Sequence, residues 1–198
     1  MALNGIEEFV GEYLRIIEKC DFIKYNEKFT VKTEDSHKQK GMSEVDVIGI
    51  NLKDRTIFVC EVSAQMGGIY GNYPAKLDYR NPNNKFAKNQ RYIEEHFKDF
   101  NPKTVKHMFW CPILTEKQKE KFILPGEDSD EKELKVELIA GQDFLKKIDE
   151  LAACLETCQK DYASPVIRFL QVLVHLAKKR EKTGNIFKSG LLKLPPFR

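Results

Sequence analysis

Apolar residues recur at helical spacing near the start of the chain and then change to the short runs typical of strands. The first pattern predicts an amphipathic helix over residues 3–20. Three strand-like segments follow it, over residues 28–32, 45–50 and 56–63. The polar residues 51–55 have the length of a hairpin turn, so the last two strands are expected to pair with each other.

The rest of the chain alternates helical and strand-like patterns. Helices are predicted over residues 84–99, 115–122 and 142–160 and from Pro165 onward, and strands over residues 105–113 and 134–140. The order α-β-β-β-α-β predicts an α/β fold whose mixed central sheet is covered by helices on both faces. Residues 1–160 would form this domain. Residues 161–198 would add a C-terminal helix and a basic tail, packed on the domain or extending from it.

Composition and charge change this picture little. The 198 residues carry a net charge of +3 with a pI near 8.5, which is too mild to identify a nucleic-acid-binding protein by itself. No apolar run has the length of a membrane span and the N-terminus lacks the order of a signal peptide, so no membrane partner is expected. Five cysteines without CxxC spacing favour a reducing, cytoplasmic location.

Two acidic residues interrupt the apolar strands of the predicted hairpin. Asp46 lies in the first strand, and Glu61 shares one face of the second with Ile57 and Val59. A carboxylate in such a strand is costly unless it is paired, solvated or bound to a metal ion. Two carboxylates on paired strands can share Mg²⁺, which prefers oxygen ligands. Either acid alone is more simply interpreted as an ordinary solvated residue at a strand end, whereas the pair within this strand order favours a metal site.

The first helix offers a third carboxylate. On a helical wheel Glu7 lies beside the apolar stripe, while Glu8 and Glu12 point away from it. Glu7 is therefore the acidic residue that is best placed to lean toward the sheet. It has an equally good interpretation as a surface acid, because the helix dipole favours a negative charge near the N-terminus.

These parts together resemble the PD-(D/E)xK nuclease superfamily, particularly its resolvase-like and Mrr-like members. A helix with a Glu, an Asp at a strand and an acid at the end of the next strand occur in the family's order, at Glu7, Asp46 and Glu61, and the likeness extends over residues 5–113. The resemblance implies a restriction-endonuclease-like αβββαβ core and hydrolysis of DNA phosphodiester bonds with Mg²⁺ or Mn²⁺. It also implies a metal site made by Asp46, Glu61 and the backbone of Val62.

The chain departs from the family where the motif lysine is expected, because Ser63 stands there. That lysine helps to orient the attacking water and to stabilise negative charge, which a serine does not do electrostatically. Gln65, farther along the strand, is one substitute. Lys85 or Lys88 from the following helix is another, although solvated helix lysines are the simpler interpretation of both. The third alternative is a protein that has lost cleavage and kept binding.

A loop rich in glycine and aromatic residues follows Glu61 directly. Tyr70 and Tyr73 are suited to stacking on bases, and Lys76 and Arg80 to contacting phosphates, so these four are the candidate nucleic-acid-binding residues. A packed irregular loop explains the same composition equally well. DNA is the expected partner. A homodimer is a further possibility, because the last helix is apolar enough to pack on the core or on a second subunit.

The leading function from the sequence is therefore an Mg²⁺-dependent DNA nuclease. Asp46 and Glu61 would bind the metal ion, Glu7 would support it or position water, and Gln65 or a helix lysine would act near the attacking water. The alternative is a catalytically inactive nuclease-like domain that binds nucleic acid or a partner protein. A third alternative is an unrelated α/β enzyme with a different strand order, in which the acids are incidental.

Overall fold

A computed structural model of the chain describes residues 5–31, 41–63, 85–114, 134–158 and 162–182. Nine helices and strands make up this described part of the chain. In chain order they are α1 (Gly5–Ile16), β1 (Phe22–Val31), β2 (Gly41–Asn51), β3 (Thr56–Val62), α2 (Lys85–His96), β4 (Thr104–Cys111), β5 (Val136–Ala140), α3 (Gln142–Thr157) and α4 (Pro165–Lys182).

The strands form one five-stranded mixed sheet in the order β1-β2-β3-β4-β5. β1, β2 and β3 are antiparallel neighbours, and β3, β4 and β5 run parallel to one another. A short turn therefore joins β2 to β3, whereas the parallel step from β3 to β4 is made by a crossover that contains α2. The prediction of a mixed α/β protein is confirmed.

The larger apolar core lies on the sheet face covered by α1, α3 and α4. The ring of Trp110 on β4 is at its centre, with edge contacts to Phe9, Tyr13 and Phe144 at centroid distances of 5.3 to 6.4 Å. α1 approaches β2 closely at Gly49, where an added Cβ atom would lie 2.9 Å from a methyl carbon of Leu14. A side chain at residue 49 would therefore require Leu14 to shift.

The opposite face carries α2 and two smaller apolar clusters. One contains Phe86 and Phe109, and the other contains Ile57, Val59 and Ile93. The side chain of Glu61 belongs to this face, because residues of β3 alternate between faces and Ile57 and Val59 lie here. Glu61 therefore lies on the α2 face of the sheet, while the largest part of the core is on the other face.

Several predicted boundaries were wrong. β1 begins at Phe22 rather than at residue 28. Its first residues were not predicted as a strand because β1 is the edge strand of the described sheet and its half-exposed side chains include many polar ones. α1 ends at Ile16 because Lys19 adopts a left-handed conformation (φ 57°) and the amide of Cys20 closes the helix on the carbonyl of Leu14. α4 begins at Pro165, as predicted, and continues to Lys182.

Other predictions fall outside the described residues. They are the short helix over residues 115–122, the loop over residues 66–84 and the tail after Lys182. Within the described part of the chain, no helix is both long enough and apolar enough to cross a membrane.

Candidate functional site

The site forms where β2 and β3 stop pairing. Their last paired residues at this end are Val47 and Cys60, and extending the same register by one residue places Asp46 opposite Glu61. The backbone N–H of Val62 donates a 2.7 Å hydrogen bond to Oδ2 of Asp46. The Asp46 side chain thus accepts a backbone hydrogen bond from β3, in place of a backbone carbonyl of β2. Both carboxylates are held at the point where the strands separate.

A lysine from α2 joins the two carboxylates. Lys85 is the first residue of that helix, and its Nζ atom lies 3.2 Å from Oδ1 of Asp46 and also contacts Oε2 of Glu61. The side chain of Lys85 is 42% exposed, whereas those of Asp46 and Glu61 are 14% and 4% exposed. The acids are therefore the inner part of the site, and the lysine stands at its solvent side.

A buried amide completes the site one helical turn later. Nδ2 of Asn89 donates a 2.6 Å hydrogen bond to Oε1 of Glu61, and the residue is completely buried. Its Oδ1 atom has no hydrogen-bond partner among the described residues. Asn89 was not predicted as a site residue. The available signal was its spacing of four residues from Lys85, which places both side chains on one side of the helix.

Burial dominates the electrostatics of Glu61. Burial raises the pKa of this carboxyl well above its usual value, and the nearby Asp46 carboxylate adds to the shift; Lys85 and Asn89 oppose it. For Lys85, burial pulls the pKa down, but the two carboxylates outweigh that effect and raise it overall. The lysine is therefore an ammonium ion at neutral pH, and one positive charge faces two acidic groups.

The side chain of Ser63 lies against β4. The residue is buried, and its backbone N–H donates a 2.8 Å hydrogen bond to the carbonyl of Trp110 on β4. Burial raises the pKa of the Cys111 thiol, and a hydrogen bond with the Ser63 side chain partly offsets the increase. The serine thus belongs to the packing between β3 and β4.

Glu7 and Lys88 lie in different surroundings from the two acids. Oε2 of Glu7 accepts a 3.5 Å hydrogen bond from Asn26, which lies opposite Asp46 between two paired residues of β1. Glu7 therefore lies near this end of the sheet, but α1 packs on the face opposite to α2. Lys88 lines a shallow cleft between α2 and β1, together with Phe29, Arg91 and Tyr92.

Five predicted site residues are outside the part of the chain that the structure describes. They are the possible lysine substitute Gln65 and the predicted nucleic-acid-binding residues Tyr70, Tyr73, Lys76 and Arg80.

The donor set at the site fits a small hard cation. Among the described residues, no group of three or more His, Cys, Asp or Glu side chains is arranged to hold a metal ion. Mg²⁺ needs fewer protein ligands, because it keeps several waters and usually binds one or two carboxylates. The N–H of Val62 points to Asp46, and because the N–H and C=O groups of one strand residue point to the same side, the Val62 carbonyl is expected on that side as well. Asp46, Glu61 and this carbonyl together offer a suitable set of oxygens.

Comparison with known proteins found no match to the chain among family models, curated proteins or solved structures.

Proposed function

We propose that the protein is an Mg²⁺-dependent nuclease that hydrolyses DNA phosphodiester bonds. The observation that carries the proposal is the convergence of Asp46 and Glu61, from separating strands, on the ammonium group of Lys85. A restriction-endonuclease-like core is part of the same proposal. Its support is the element order α1-β1-β2-β3-α2-β4, with three antiparallel strands and a fourth that is parallel to the third.

The protein's own groups have distinct roles in this proposal. Asp46, Glu61 and the carbonyl of Val62 would hold the ion, and its positive charge would relieve the repulsion between the two carboxylates. When bound, Mg²⁺ supplies Lewis acidity at the phosphate and toward water. The backbone N–H of Val62 and the amide of Asn89 fix one oxygen of each carboxylate, so both acids are oriented before an ion arrives.

Lys85 would take the role that the motif lysine has in the resembled family. Its ammonium lies at the carboxylates and on their solvent side, where a phosphodiester would approach them. There it would stabilise the negative charge that develops as the water oxygen bonds to phosphorus. The bond from phosphorus to the leaving sugar oxygen breaks in the same reaction, and that oxygen takes up a proton.

The second candidate is a catalytically inactive domain that binds nucleic acid or a partner protein. The observation that favours it is Ser63, which is buried in the sheet at the position where the family has its lysine. In that case the ion pair of Lys85 with the two acids would only stabilise the fold.

Cleavage assays separate the two functions. Duplex, branched and single-stranded DNA and RNA are incubated with Mg²⁺ or Mn²⁺ and with wild type, Asp46→Ala, Glu61→Ala or Lys85→Ala. We expect metal-dependent cutting of DNA that either acid variant abolishes, and a loss of about 10²-fold in Lys85→Ala, as for the removal of one charge-stabilising group.

Lys146→Ala is the matched control, because Lys146 is an exposed lysine on α3 that pairs with the single carboxylate of Asp143 at 2.9 Å. This variant should cut as wild type does. Cutting that persists in both acid variants contradicts the proposed site. A wild type that binds DNA without cutting it supports the inactive domain.

A further inference from the structure

The four carboxylate oxygens of the site divide into two kinds. Oδ2 of Asp46 and Oε1 of Glu61 accept hydrogen bonds from neutral groups, the N–H of Val62 and the amide of Asn89. Oδ1 of Asp46 and Oε2 of Glu61 both contact the ammonium of Lys85. The lysine thus occupies the position between the acids that a shared cation would take.

We infer that Lys85 is an internal counter-ion, and that a divalent metal ion binds by displacing its ammonium group from Asp46 and Glu61. The inference rests on the metal site of the proposed function and deepens it by specifying how that site is regulated. An ion that bridges the two carboxylates needs the oxygens that Lys85 contacts. A unit positive charge at that position also repels the incoming ion.

The local structure allows the lysine to leave without disturbing the acids. Lys85 is at the first position of α2, its side chain is 42% exposed, and a lysine side chain is a flexible four-carbon stem. The donor from Val62 is a backbone N–H of β3, and the donor from Asn89 is a side-chain amide on the buried side of α2. Both groups continue to orient the carboxylates when Lys85 moves away.

This arrangement gives Lys85 opposite effects on ion binding and on cleavage. Without an ion the ammonium stabilises the acid pair and thereby weakens metal binding. After displacement the same ammonium is at the solvent side of the site, where a phosphate would meet it. Removal of the charge should therefore tighten ion binding and at the same time slow cleavage. A lysine with a structural role alone would not produce this opposition.

Calorimetric titration with Mn²⁺ and with Ca²⁺ at pH 8.5 tests the inference on the full chain. We expect Lys85→Met to bind both ions about ten-fold more tightly than wild type, since an ion pair in a partly exposed site contributes about one factor of ten in an equilibrium constant. Lys146→Met removes an exposed lysine that pairs with one carboxylate and should leave ion affinity unchanged. Equal or weaker ion binding by Lys85→Met overturns the inference.

A second measurement on wild type covers a Lys85→Met variant that does not fold. Nitrogen-15 NMR observes the lysine ammonium groups directly, and contact with two carboxylates slows the hydrogen exchange of the Lys85 group. Saturating Ca²⁺ should remove this protected signal. A signal that persists at saturation contradicts displacement.

The outcomes distinguish this inference from the proposed function. Tighter ion binding by Lys85→Met, with a wild type that cuts no nucleic acid, supports displacement and overturns the nuclease. A wild type that cuts, with ion binding that Lys85→Met does not tighten, supports the nuclease and overturns displacement. If neither protein binds either ion, both are overturned.

Discussion

Replacing Glu61 by glutamine should make the protein more stable while it removes the proposed chemistry. Glutamine keeps the shape of the side chain and an oxygen that can accept the hydrogen bond from Asn89, but it removes a negative charge that is only 4% exposed. The charge of Lys85 remains paired with Asp46 at 3.2 Å and is partly solvated, so the substitution leaves no isolated buried charge.

The sign and size of the effect follow from the surroundings of Glu61. Because the pKa of Glu61 is raised in the folded protein, the folded state binds its proton more tightly than the unfolded state does. The ionised carboxyl therefore lowers the free energy of unfolding at high pH. This destabilisation disappears below pH 4.5, the ordinary pKa of a glutamate side chain. We expect Glu61→Gln to gain about 1 to 2 kcal/mol at pH 8. For a chain of 198 residues each kcal/mol corresponds to roughly 2–4 °C in Tm.

Urea unfolding at pH 8 and at pH 4 measures the prediction, with Glu94→Gln as the control. Glu94 is an exposed carboxylate on α2 that accepts a 2.7 Å hydrogen bond from Gln90, so its replacement removes one charge from the surface. The gain of Glu61→Gln should be present at pH 8 and absent at pH 4, and Glu94→Gln should show neither effect. A Glu61→Gln protein that is less stable than wild type at pH 8, or whose gain is equal at both pH values, refutes the reasoning.

Three further predictions concern other described residues. Asn89→Ala removes the donor that lowers the pKa of Glu61, so the acid limb of the pH profile of cleavage should move to higher pH; an unmoved limb would exclude this positioning role. Burial lowers the pKa of His107 to about 4, so stability should fall by up to about 3 kcal/mol as the pH drops from 6.5 to 4. His107→Gln should lose that dependence in acid unfolding curves. Gly11→Ala places a Cβ atom against the ring of Tyr25 and should cost about 2 kcal/mol in urea unfolding. A Tyr25→Ala background should remove most of that cost, and an undiminished cost would exclude this clash.

The proximity of Asp46 and Glu61 could be predicted from the sequence. Alternation along β3 places Glu61 on the same face as Ile57 and Val59, and the short turn between β2 and β3 limits their register to a few choices. The face of Glu61 and the partner of its strand are both local properties. A sequence pattern specifies such properties well.

The contribution of α2 was not predictable in the same way. Lys85 was only one of two candidate lysines, with a solvated lysine as the simpler interpretation, and Asn89 was not considered, because a segment of over twenty residues separates β3 from α2. The direction in which a helix returns over such a distance depends on tertiary packing and leaves no trace in local periodicity. The partial exposure of Lys85 agrees with its expected solvation, and only its contacts identify its place in the site.

Long-range packing also explains an error on α1. The helical wheel directed Glu8 and Glu12 away from the apolar stripe, yet Glu12 is buried and accepts a 2.7 Å hydrogen bond from Arg15. The hydroxyl of Ser164, just before α4, donates a 2.7 Å hydrogen bond to Glu8. α4 packs against this side of α1, and a wheel of α1 alone contains no information about a helix some 150 residues later.

The sheet separates the described residues of the site from the two helices α3 and α4. The four side chains of the site come from positions 46 to 89 and lie with α2, whereas α3 and α4 lie behind the sheet and bury apolar surface there. Substitutions in those two helices should therefore change the thermal stability of the protein, while they leave the proposed cleavage activity unchanged. The sequences of related chains are expected to vary most in α3 and α4. Different helices should be tolerated there as long as apolar side chains still pack against Trp110.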